Sequence, residues 1–159
     1  MTKSIGALFI VFASACMLAA CNGGNGSVSV PAGTGTNCGG PPNSNQVEVL
    51  YPAPGATNAP PGLGTIFIST KGQLPPGNQY NLFISQSNGA FTATSVFFGT
   101  SLSKIPKPHA TPSYSSPTYY ASSLPPSYII GPAQSVSVLW NIADGCTPRT
   151  DISSFTTSY

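Results

Sequence analysis

The chain has 159 residues and a formal net charge of +2, and Asp, Glu, Lys and Arg together make up only 5% of it. Average soluble domains are about 25% charged, so the polar surface here rests on Ser, Thr, Asn, Gly and Pro. That inventory excludes a basic nucleic-acid patch and leaves one His and three acidic residues for any acid–base chemistry.

Taken in chain order, the N-terminus comes first. One cation, Lys3, precedes an uncharged apolar run that reaches Cys21, the n-region and h-region pattern of a signal peptide. A membrane-spanning helix needs roughly 20 apolar residues, whereas this run is shorter and is followed by Gly, Asn and Ser without a stop-transfer charge. The run ends in Leu18-Ala19-Ala20-Cys21, which resembles the lipobox of bacterial lipoproteins. The resemblance implies that residues 1–20 are a lipoprotein signal peptide. Cleavage then precedes Cys21, whose Sγ carries a diacylglyceryl group and holds the chain to the membrane. In enterobacterial lipoproteins an Asp after the lipidated Cys retains the protein in the inner membrane, so Asn22 points to the outer membrane of the cell envelope. The alternative is an ordinary signal peptide cleaved nearby, with Cys21 left as a thiol or a disulfide partner.

Residues 21–45 are rich in Gly, Asn, Ser, Thr and Pro, too poor in apolar groups to offset the entropy of ordering, and read as a flexible tether. With Cys16 lost in the signal and Cys21 lipidated, Cys38 and Cys146 are the remaining pair in an oxidising compartment. A bridge across so long a loop contributes about 4 to 5 kcal/mol in the chain-entropy picture. Free or metal-binding thiols are the alternative, although neither has a His or a second Cys nearby in sequence.

Residues 46–159 form one domain without helical periodicity. Short β-branched and aromatic runs occur at 46–51, 65–69, 79–85, 91–95, 96–98, 118–122, 135–140 and 152–156, separated by Pro and Gly. About seven strands in that length predict an all-β fold, an antiparallel β-sandwich. Trp140 is expected in its core. The segment Pro52-Ala53-Pro54-Gly55-Ala56-Thr57-Asn58-Ala59-Pro60 is similar to the opening of bacterial Ig-like and fibronectin type III-like domains, as are Leu74-Pro75-Pro76-Gly77 and the closing Ile152-Ser153-Ser154-Phe155. This resemblance implies an Ig-like sandwich and no particular function.

No catalytic constellation emerges. A Ser/His/Asp triad would need His109 with Asp144 or Asp151, yet His109 lies in a Pro-rich loop. Asp144, Asp151 and Glu48 make no calcium loop or paired-carboxylate pattern, and Gly23-Gly24-Asn25-Gly26 is no phosphate cradle, so neither metal nor cofactor is expected. The unusual feature is the connection 104–128, which holds six prolines together with Tyr114, Tyr119, Tyr120 and Tyr128. Long Pro-stiffened connections with tyrosines suit binding. The same residues could equally cover a sandwich edge and guard it against pairing. The expectation is a non-enzymatic, membrane-anchored module for binding, adhesion or envelope support, with a protein or polysaccharide partner. The alternative is an accessory carbohydrate-binding module that acts beside a separate hydrolase.

Overall fold

The structure, a computed structural model, describes residues 44–143 and 148–159. Each predicted run becomes a strand: β1 (Val47–Tyr51), β2 (Thr65–Lys71), β3 (Tyr80–Gln86), β4 (Phe91–Thr94), β5 (Phe97–Thr100), β6 (Pro117–Ser123), β7 (Ser135–Ile142) and β8 (Thr150–Thr156). The tally is eight rather than about seven because Ser95 and Val96 separate β4 from β5, which belong to different sheets.

All strand pairs are antiparallel. Sheet one runs β1-β2-β6-β5 and sheet two β4-β3-β7-β8. Lettered along the chain, this is the ABED and CFG order of an immunoglobulin-type sandwich, with one further strand beside C.

Alternation decides what lies between the sheets. Tyr80, Leu82 and Ile84 on β3 face inward with Val136, Val138, Trp140 and Ile142 on β7, and sheet one answers with Val47, Val49, Ile66 and Ile68. Burying each such aliphatic side chain contributes about 1.5 to 3 kcal/mol. Trp140 is fully buried at the centre, stacked on Tyr80 at 5.5 Å between ring centroids and met edge-on by Phe97 at 5.8 Å.

Local turn chemistry closes the β3–β4 hairpin. Gln86 N–H donates to the Ala90 carbonyl at 2.8 Å, and Asn88 Oδ1 accepts from Ala90 N–H at 2.9 Å. Gly89 takes a φ of 87°, a left-handed conformation that a Cβ would strain. At the same end of β3 the buried Gln86 side chain clamps the β6–β7 connection. Its Nε2 donates to the Ile129 carbonyl at 3.0 Å, and its Oε1 accepts from Gly131 N–H at 2.9 Å.

Candidate binding surface

A strand at the edge of a sheet exposes unpaired backbone groups, and this sandwich covers some of its edges and leaves others bare. The outer side of β8 is taken up by the β1–β2 connection. Ser154 O accepts from Gly55 N–H at 2.7 Å, Thr156 N–H donates to Ala56 O at 2.6 Å, and Thr156 O accepts from Ala59 N–H at 3.0 Å. Along β1, Leu50 O accepts from Ala110 N–H at 2.9 Å, and the Glu48 carboxylate accepts from both the backbone N–H and the hydroxyl of Ser113. The Pro-rich 101–116 connection thus lies over the outer face of sheet one and buries Leu50 and Ile105.

The predicted tyrosines do not converge on one platform. Tyr114 belongs to that covering: its hydroxyl donates to Ser69 at 3.0 Å on the outer face of sheet one. Burial pushes this hydroxyl up to about 12 from 10.0; the Ser69 hydroxyl, able to donate to a phenolate, works the other way, and the charges of Glu48 and Tyr119 raise it further. Tyr119 and Tyr120 are neighbours on β6 and therefore point to opposite faces. Tyr120 packs on the core and its hydroxyl accepts from Leu74 N–H at 2.9 Å. Tyr128 reaches the β3–β4 hairpin, where its hydroxyl donates to Ile84 O at 3.2 Å. The long 104–128 connection is interrupted by β6, and three of its four tyrosine hydroxyls are engaged within the domain.

His109 lies in the same covering loop, with Nδ1 3.0 Å from the Ala110 carbonyl that accepts its hydrogen. Among the described residues no three His, Cys, Asp or Glu side chains come together as a metal site would require. Cys21, Cys38, Cys146 and Asp144 lie outside the described residues.

The opposite side of the sandwich is bare. Among the described residues neither β4 nor β5 has a second strand partner. The stretch from Phe91 to Thr100 contains no charge and no proline, so it lacks the usual protections of an edge. Phe91 is 53% exposed, Val96 48% and Phe98 58%. Where the chain crosses between sheets, Val96, Phe98, Leu124, Pro125 and Pro126 line a shallow groove of about 490 Å³. It is shaped by Thr94, whose Oγ1 donates to Ser123 O at 2.9 Å.

No protein-family model, curated protein or solved structure matches this chain. Its own surface must carry the functional reading.

One further cluster completes that surface. On the outer face of sheet two the rings of Phe83 and Phe91 lie 5.9 Å apart and nearly parallel, at 21°. The Arg149 guanidinium sits over Phe83 at 4.1 Å and 6.0 Å from Phe91. The sequence reading passed over all three. The signal available to it was Phe83, an aromatic on the outward parity of a strand whose inward positions were already filled by Tyr80, Leu82 and Ile84.

Proposed function

We propose that the chain is a lipid-anchored, non-enzymatic binding module of the bacterial cell envelope, attached through Cys21 and, on the evidence of Asn22, facing from the outer membrane. The lipobox-like Leu18-Ala19-Ala20-Cys21 supports the anchor. The strand order supports the resemblance to bacterial Ig-like and fibronectin type III-like domains, a scaffold that carries many binding roles. The observation that carries the binding role is the uneven covering of the sandwich. One face and the β1 and β8 edges are bonded down by loops, while the β4–β5 side presents Phe91, Val96 and Phe98 to solvent. Isolated apolar residues on a surface are ordinary, but a contiguous apolar groove beside bare edges marks an interaction site.

Sedimentation of the full chain with isolated envelope fragments tests this. Phe98→Glu on the bare side should abolish co-sedimentation, and Lys107→Ala in the covering loop should leave it intact; equal behaviour of the two variants refutes the assignment. Attachment is tested by metabolic palmitate labelling, which Cys21→Ala should eliminate. The Cys38–Cys146 bridge belongs to the same reading. It predicts a disulfide-linked peptide pair in the non-reduced digest, and alkylation of both thiols without prior reduction would exclude it.

A further inference from the structure

We propose that the outer face of sheet two is a polysaccharide-binding site, in which a pyranose ring stacks on Phe91 and oxygens of the sugar accept hydrogen bonds from Arg149. The inference rests on the binding-module reading and gives it a ligand class.

Sugar recognition needs a flat apolar surface for the C–H face of the ring and fixed polar groups at its rim for the hydroxyls. Phe91 supplies the first. It is 53% exposed, and its ring is held nearly parallel to Phe83 on the same sheet surface. Arg149 supplies the second. Its guanidinium carbon rests 4.1 Å from the centre of the Phe83 ring, and a planar guanidinium carries its five N–H donors around its rim. Stacking on Phe83 also restricts the long side chain before a ligand arrives, which lowers the entropy lost on binding.

Register brings acceptors to the same face. Ser85 stands directly opposite Phe91 on β3. Phe83 pairs with Leu139 and Leu139 with Asp151, which places the exposed Asp151 two strands from Phe83, about 10 Å away at the ordinary strand spacing. The surface from β4 to β8 therefore offers a ring face, then a guanidinium, then a carboxylate, in line across the sheet. One cation beside one anion suits hydroxyl-bearing rings better than a nucleic-acid strand, whose affinity would come from several phosphate contacts. The covered face of sheet one has no counterpart to this arrangement, because the Tyr114 loop occupies it.

The test is native electrophoresis of the full chain in detergent, through gels containing either laminarin, a neutral glucan, or polygalacturonate, a polyuronate. Retardation by at least one polymer is expected, and the polymer that retards identifies whether hydroxyls alone or a sugar carboxylate meet Arg149. Phe91→Ala and Arg149→Ala should each weaken retardation at least tenfold with unchanged thermal midpoints. Phe98→Ala, on the outer face of the other sheet, should leave it within twofold. Absence of retardation by both polymers, or Phe91 and Arg149 variants that behave as the parent, overturns the site. If the chain then still sediments with envelope fragments and Phe98→Glu still abolishes that, the binding module stands and only its sugar site falls.

Discussion

Replacing Gln86 by Ala should destabilise the domain by about 2 to 4 kcal/mol, although it removes no apolar packing of consequence. The side chain is only 4% exposed and makes two part-buried hydrogen bonds to backbone groups more than 40 residues away, at Ile129 O and Gly131 N–H. An intramolecular hydrogen bond is worth about 1 kcal/mol net, and a partner left unsatisfied away from water costs about 1 to 3 kcal/mol, so losing both bonds sets the lower end of the range and poor access of water to the freed groups the upper end. The effect should spread, since the same segment is tied to the C-terminus: Thr157 Oγ1 donates to Gly131 O and accepts from Gln134 N–H, each at 2.8 Å. Urea unfolding measured on the parent and on Gln86→Ala gives the difference directly, and an unchanged m-value would show that the denatured state is not responsible. Gln134→Ala is the control. Its Oε1 also accepts two hydrogen bonds, from Ser87 Oγ and Asn88 N–H, but in solvent, where water replaces it. That variant should lose less than about 1 kcal/mol. Equal losses from the two variants would refute the argument that burial, rather than bond number, sets the cost.

Three other outcomes are expected. Trp140→Ala should cost about 3 to 5 kcal/mol by opening a cavity between the sheets; Trp140→Phe should cost well under half of that, because the indole N–H has no hydrogen-bond partner among the described residues, and calorimetry of the two variants checks the ratio. Tyr114 has its folded value raised to about 12 from 10.0, so its contribution is fully present below pH 10 and is lost as pH rises through 12. The parent should therefore lose thermal stability across that window more steeply than Tyr114→Phe, and identical alkaline profiles would remove Tyr114 as the cause. At the acid end the chain has only three carboxylate side chains through which protonation can unfold it, so the thermal midpoint should change little between pH 7 and pH 3, and a collapse over that range would contradict the reasoning.

Much of the fold could be read in advance because its determinants are local. Alternation in Tyr80-Asn81-Leu82-Phe83-Ile84 and in Val136-Ser137-Val138-Leu139-Trp140 assigns faces two residues at a time, and Ser87-Asn88-Gly89 closes a hairpin within itself. The site was far less legible. Tyr114, Tyr119, Tyr120 and Tyr128 read as one cluster because they are close in sequence, yet β6 turns two of them to opposite faces, and the hydroxyls of Tyr114, Tyr120 and Tyr128 find partners 38 to 46 residues away. Nothing in the sequence around Arg149 signals that the chain entering β8 brings it over Phe83.

The sequence by itself determined the poverty of charge, the strand-forming runs and which side of each run is apolar, since all of these depend on composition or on contacts within a few residues. Only the tertiary structure decided which surfaces remain uncovered. That choice is made by long-range hydrogen bonds: Ala110 to Leu50, Ser113 to Glu48, and the β1–β2 connection to β8. These close one side of the sandwich, and no comparable bonds reach β4 and β5 among the described residues. A loop's composition states what it could cover, but the edge it meets is fixed by chain topology, which places residues 65 positions apart side by side.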